Sequence, residues 1–285
     1  MAAIAYITDP KMLEIHRLDR RKQVNFWRLS AQINFRDFQR GDLLFFLSKD
    51  KKSMRNGEKG IVGYGRADNF LEASPAVMWK RYGVANGYDG FALFKKALCK
   101  VARFHILPPK ISSIYLKDVL YFQTPIYLSD YGMQINQNIE SFCYIENNIV
   151  SSLLYENRYN LDSWSHQKGN DEMLLQELAR YHLFQAQDII KDIPVAEKQK
   201  RKAQRRGRKY LKQHHNLDIL RDSTNTLYDF LDGQLRVYFI QDEKLDKRLY
   251  IGQKEYLYQQ YESMKPVLYP LSFYLIDEQE NIKNL

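Results

Sequence analysis

Nine basic side chains crowd the stretch AEKQKRKAQRRGRKYLKQHH at 196–215: Lys198, Lys200, Arg201, Lys202, Arg205, Arg206, Arg208, Lys209 and Lys212, with no acid between the first and the last. Lysine and arginine at this density are suited to phosphate oxygens, because each contact with a nucleic-acid backbone releases a condensed counterion. The chain has 43 Lys+Arg and 34 Asp+Glu, so without these nine residues its charges balance, and the net +9 belongs to this one segment. A neutral body with one basic segment concentrates its field there. The same run also fits a solvated connector, since blocks of like charge are often linkers.

A second constellation has the outline of metal-dependent chemistry. Nucleases of the PD-(D/E)xK kind set one acid on a strand and an acid-x-Lys at the end of the next, so that two carboxylates hold Mg²⁺ and a lysine steadies the attacking water. Asp232, the strand-like LRVYFIQ and then Asp242-Glu243-Lys244 follow that order, with Asp232, Asp242 and Lys244 as the catalytic candidates. DEKLDK also reads as an exposed turn after a strand, in which case the chain needs no metal or other cofactor. Whether it is an enzyme stays open. Glycines 57, 60, 63 and 65 spell no dinucleotide fingerprint and no GK[ST] is present; the first two suit turns, and Gly63 and Gly65 suit a close approach by a ligand or a neighbouring helix.

The elements that must position these residues fall into two halves, as the length of 285 residues suggests. With 45% hydrophobic residues both halves can bury cores, and the 21 tyrosines suit half-buried strands or stacking surfaces. Cys99 and Cys143 lack metal-ligand spacing and cannot make a disulfide framework, and no apolar run is long enough for a membrane helix, so a soluble cytoplasmic protein is expected. The first strand is expected near Ala3. GDLLFFLSK, the loop DKKSMRNGEKG and GIVGYGRA predict a strand, a long turn and a second strand over 43–67. Ser74, Pro75 and Gly83 predict a short helix bearing Trp79 and Tyr82, and 88–98 a second helix. CKVARFHIL reads as a strand, 113–119 as a short helix, and the part up to CYIEN as a polar tail. In the second half GNDEMLLQELARYHLFQAQDIIKDIP is a helix, the basic run a partly helical arm interrupted by Gly207 with basic residues on all sides, and KEYLYQQYESM a helix between the strands LRVYFIQ and PLSFYLID. The expected class is α+β, with domains at 1–148 and 216–285 joined by a helical, basic linker at 149–215.

Read in order, VNFWRLS at 24–30, FQRGDLLFFLSK at 38–49, GIVGYGRA at 60–67 and MWKRYGVANGYDGF at 78–91 resemble the PUA-like domains of the EVE type, particularly the version that precedes an HNH nuclease in modification-dependent restriction enzymes. The resemblance covers about residues 1–148 and implies a small twisted β-barrel with flanking helices that accepts one nucleobase, often a modified one. Flat aromatic walls and a few edge contacts meet the cost of flipping a base out of its stack. Trp27, Tyr64, Trp79 and Tyr82 are the candidate walls; Asn25, Ser48 and Asp89 are the candidate edge contacts. Each has a plainer alternative: core packing for the aromatics, and a turn cap, a strand end and a Gly-rich turn for Asn25, Ser48 and Asp89. The six histidines do not supply an HNH arrangement, and His214-His215 fits an extension of the phosphate surface better than a metal site.

The combined expectation is a reader of 5-modified cytosine, in DNA rather than RNA, with a restriction or phage-defence role. The basic arm would anchor to phosphates, and the last domain would recruit an effector protein or form a homodimer. The alternatives are a Mg²⁺-dependent nuclease centred on the last domain and a protein–protein scaffold.

Overall fold

The computed structural model describes residues 2–29, 35–102, 105–136, 138–162, 170–189, 197–220, 223, 225–241, 247–264 and 269–285. The chain divides into two compact units, Ala2–Asp171 and Glu172–Leu285. The helix at Asn147–Glu156 thus falls with the first unit and the basic segment with the second.

The first unit is built on a six-stranded sheet of β1 (Ala3–Thr8), β2 (Val24–Arg28), β3 (Leu43–Lys52), β4 (Lys59–Ala73), β5 (Ile111–Ile126) and β6 (Phe142–Ile145), in the order β2-β5-β4-β3-β1-β6. AIAYIT and LLFFLS are buried on both faces. That continuous apolar character places β1 and β3 side by side, in parallel, inside the sheet. All other pairings in this sheet are antiparallel. The sheet is open: among the described residues its edge strands β2 and β6 pair with no closing partner, so the expected barrel is not closed. Register shifts between β4 and β5 bend these long strands instead.

Helix α1 (Pro10–Leu18) is capped by the Asp9 carboxylate, which accepts from the Lys11 N–H at 2.8 Å. Ser74 caps α2 (Pro75–Tyr82) in the same way, as its sequence signal predicts. Helix α3 (Phe91–Val101) follows, then α4 (Asn147–Glu156). The latter bears Leu153 and Leu154, both fully buried.

Three expectations fail here, all on short apolar runs whose period does not separate helix from strand. The run CKVARFHIL, expected to be a strand, starts instead as the last residues of α3, a helix whose Phe94 and Leu98, one turn apart, are buried against Met78 and Ile111. The expected helix at 113–119 lies inside β5, whose Ile114 and Leu116 face the core. The expected polar tail ends in strand β6, paired with β1. The close approach foreseen at Gly63 is made by β5 itself: a Cβ there would stand 2.4 Å from the Leu120 carbonyl oxygen.

The second unit contains α5 (Asn170–Ile189), α6 (Glu197–Gln213), β7 (Asp218–Ile219), β8 (Thr226–Leu231), β9 (Gln234–Ile240), α7 (Lys247–Ser263), β10 (Leu271–Ile276) and β11 (Ile282–Asn284). Its sheet runs β11-β10-β9-β8-β7. Only β9 and β10 are parallel, and they are the pair that α7 connects. Alternation along β9 sends Val237 and Phe239 to one face and Tyr238 and Ile240 to the other. Phe239 meets Tyr250 of α7, and Phe184 of α5 meets Tyr228 of β8. On the opposite face Tyr210 of α6 packs with Leu227, Tyr238, Ile240 and Ile276. The sheet is therefore covered by helices on both sides.

Candidate nucleic-acid interface

The basic segment is one continuous helix, α6, and its position on the sheet sorts its cations. Gly207 and Tyr210 are buried, so the expected interruption at Gly207 does not occur. A side chain at 207 would stand on the packed face. Arg206, on the same side, donates to the carbonyl oxygens of Gln241 and of Asp277, the latter at 3.0 Å, and pairs with Glu278 at 3.7 Å. Lys202 pairs with Glu278 and Lys209 with Glu280.

The opposite side differs. Arg201, Arg205, Arg208 and Lys212 are spaced four, three and four residues apart, which lines them along one helical stripe about 16 Å long. All four are exposed. Arg205, Arg208 and Lys212 have no ion-pair partner among the described residues. The charges thus segregate into a structural flank and an available one, contrary to the expectation of basic residues on all sides. Lys198 and Lys200 begin the same helix.

Of the seven residues expected to form a base pocket, Trp27, Trp79 and Tyr82 gather in one aromatic cluster around Phe94. The Trp27 indole N–H donates to the Asn86 carbonyl at 3.1 Å, and its ring meets Tyr88 and Phe94. Trp79 packs on Phe91 and Phe94. Tyr82 stacks on Tyr115 with centroids 4.7 Å apart, and its hydroxyl accepts from the Asn69 amide at 3.0 Å. Asn25 is fully buried and donates to the Asn86 side chain at 2.8 Å, while its own Oδ1 has no partner among the described residues. Burial and the nearby Asp9 push the Tyr88 hydroxyl up to about 12. Asp89 is exposed in the adjoining turn.

The other two stand elsewhere. Tyr64 is 1% exposed, held between Phe45 and Phe122 in the core, and presents no face to a ligand. Ser48, at the buried end of β3, lines a cavity of about 290 Å³ between α1 and strands β3, β4 and β5.

That cavity was not foreseen, and neither was the charge at its mouth. Leu13, Val62 and Phe122 are among its apolar walls, and Glu14, Arg17, Asp50 and Lys51 its charged ones. Arg17 is already engaged by the buried Asp162. Tyr121 is 3% exposed, and its hydroxyl, closed off from solvent, has no hydrogen-bond partner among the described residues; burial raises the phenol above its ordinary range. The β3–β4 hairpin supplies Lys51 to this lining, and Lys49, Lys52 and Arg55 on it are exposed as well. Its base is anchored by the buried Glu58, which accepts from the Ser129 N–H at 3.2 Å and from the Asn56 amide at 3.3 Å. The signal in the sequence was the loop itself, SKDKKSMRNGEKG, whose cations are diluted by acids and so escape a count of net charge.

Asp232 occupies the first position of the two-residue turn between β8 and β9, at φ 53°, followed by Gly233 at φ 70°. Asp-Gly is the sequence such a turn favours, because both positions need positive φ. Asp242 and Lys244 lie outside the described residues. On the adjoining strands the buried carboxylate is Asp229, clasped by both arms of the Arg236 guanidinium at 2.9 and 3.0 Å and by the Tyr238 hydroxyl at 3.2 Å. Among the described residues no three His, Cys, Asp or Glu side chains gather to hold a metal ion. Nor is any described helix long and apolar enough to cross a membrane. His16 and His182 are buried and depressed to about 4, mainly by desolvation, which suits packing rather than proton transfer near neutrality. Cys99 and Cys143 are free thiols, the latter pushed up to about 11 by burial.

No family model and no curated protein matches the chain. Among solved structures it is similar to ASCH from Zymomonas mobilis and to two point variants of that protein, at 11% identity and TM-scores of 0.38, 0.38 and 0.39. These matches cover 54% of this chain and 94–96% of theirs.

Proposed function

We propose that this chain binds nucleic acid, reading one base with its first unit and holding the backbone with α6. The observation that carries this reading is the exposed stripe of α6, where Arg205, Arg208 and Lys212 lack ion-pair partners among the described residues while the other flank is spent on the unit's own carbonyls and acids. Cations on a rigid helix at a spacing near that of successive phosphates suit contacts indifferent to sequence. Specificity then falls to the first unit. There the NFW, Gly-Asp, IVGYG and Trp-to-NG pieces support a base reader, with 5-modified cytosine in DNA as its target and a restriction or phage-defence setting.

Binding of the full chain to matched oligonucleotides carrying cytosine, 5-methylcytosine or 5-hydroxymethylcytosine, single- and double-stranded and at two salt concentrations, tests both halves. A preference for one modification that persists at the higher salt is expected. Equal, salt-sensitive binding to all would leave only the phosphate grip, and absence of binding would overturn the reading.

A further inference from the structure

We infer that the outward face of α2 and α3 in the first unit is a second nucleic-acid surface, one that takes a single strand rather than a duplex. This rests on the nucleic-acid reading above and deepens it, because it makes the first unit a source of affinity and names the form of nucleic acid that it grips.

The charge of the chain divides unevenly between its units. Residues 2–171 hold 24 Lys and Arg against 17 Asp and Glu, whereas 172–285 hold 19 against 17, because the cations of α6 stand among acids of their own unit. Seven of the 24 lie in 73–116, where Asp89 is the one acid. Lys110 pairs with Glu72 at 3.4 Å. Lys80 and Arg81 on α2 and Lys95, Lys96 and Lys100 on α3 are exposed and have no ion-pair partner among the described residues. Neither helix contains an acid. Unpaired cations gathered on two short helices make a local field that an anionic backbone can neutralise.

Packing turns these cations outward. Met78 of α2 and Phe94 and Leu98 of α3 are buried in one cluster. Val77, Lys80 and Arg81 leave α2 on another side, at spacings of three and four residues, and Leu93, Lys96 and Lys100 leave α3 in the same way. Val77 and Leu93 are each 52% exposed, so each stripe sets one aliphatic side chain among cations. Along the rails of a duplex such a stripe meets phosphates and sugars, and the aliphatic groups stay in water. A single strand brings the flat apolar faces of its bases as well, and these cover Val77 and Leu93 while the lysines hold the phosphates.

Reading a duplex through its major groove calls for Asn, Gln or Arg at the base edges. Helices α2 and α3 contain no Asn or Gln, and Arg81, their one arginine, lies over the Tyr82 ring, 5.5 Å from its centre. A guanidinium held there is suited to stack on an unpaired base. A membrane surface would call for a continuous apolar face, which the lysines interrupt.

The probes are a mixed-sequence single-stranded oligonucleotide, the duplex of the same sequence and phosphatidylserine vesicles, each titrated into the full-length protein, K95E/K96E/K100E and V77Q/L93Q. All five positions are exposed, so the melting temperatures should stay at the wild-type value. K95E/K96E/K100E should bind the single strand about tenfold more weakly and lower its salt slope by roughly 2, at about 0.7 per lost phosphate contact. Its duplex affinity should change by less than about threefold, because α6 still holds that form. V77Q/L93Q should weaken the single strand alone, by about threefold. Equal losses for the two forms in K95E/K96E/K100E would overturn the single-strand assignment. Single-strand binding unchanged in that variant would overturn the surface while leaving the proposed function standing, and loss of vesicle binding with unchanged oligonucleotide binding would give it to a membrane instead. Absence of oligonucleotide binding by the wild-type protein would overturn both.

Discussion

Two basic segments of this protein, helix α6 in the second unit and the β3–β4 hairpin in the first, differ in how much of their charge is available. The helix carries the larger number of cations, but Arg206 caps two carbonyl oxygens and Lys202 and Lys209 lean on Glu278 and Glu280. The hairpin carries fewer, yet Lys49, Lys51 and Lys52 are all exposed, and Lys51 lines a cavity. The lesson is that charge density along the sequence finds the helix and overlooks the hairpin, because it counts residues and not their partners. The helix is suited to hold a backbone without regard to sequence.

The sharpest way to break this division is to reverse the exposed stripe of α6. R205E/R208E/K212E should weaken binding of every oligonucleotide by roughly 100- to 1,000-fold at low salt, because three phosphate contacts become repulsions, while leaving any preference among bases intact. Competition titrations with modified and plain oligonucleotides would show it. A change of preference with little change in affinity would contradict that role for the helix.

Acid should act on both units rather than on the cations. His16 in α1 and His182 in α5 are buried and neutral, each depressed to about 4 from an ordinary 6.5. The unfolded chain takes up these protons first, so their contribution to stability is fully present above about pH 6.5 and is lost as the pH falls toward 4. Each accounts for on the order of 3 kcal/mol at most. Arginine stays charged throughout. Chemical denaturation at pH 7 and pH 5 should therefore show falling stability in both units, and a decline of binding in this window should track unfolding. The replacements His16→Leu and His182→Leu, one at a time, should flatten the dependence.

A smaller effect separates the two flanks of α6. Arg206→Ala removes the guanidinium donor from the carbonyls of Gln241 and Asp277, the latter of which still accepts from the Glu280 N–H, and should cost about 1–2 kcal/mol of stability, read from urea unfolding, with little loss of affinity at saturating fold. A large loss of affinity in a protein of unaltered stability would place Arg206 on the binding flank instead.

Much of the fold was legible wherever a run carried its own stop signals. Gly41-Asp42 and the loop expected at 50–60, which in the structure shrinks to 53–58, bound β3 and β4, and Ser74, Pro75 and Gly83 bound α2. Residues 113–119 were read as a helix, whereas Ser112 and Ser113 are fully buried between β2 and β4. Tertiary pairing decided that segment. Asp232 was read for its carboxylate although Asp232-Gly233 is a hairpin turn by its own chemistry. The aromatic cluster was legible as a set of residues but not as an arrangement: Asn86, which ties Asn25 and Trp27 together, gives no sign of that in the sequence. The cavity was illegible for a similar reason, since Leu13, Ser48 and Tyr121 meet there from three distant parts of the chain.

The measurement that bears most directly on the account is the salt dependence of duplex binding by the wild-type protein and R205E/R208E/K212E. The account predicts a slope of log affinity against log salt that is shallower by roughly 2–3 in the variant, because each neutralised phosphate contributes about 0.9. Identical slopes would mean that the stripe on α6 touches no phosphate, and would contradict it.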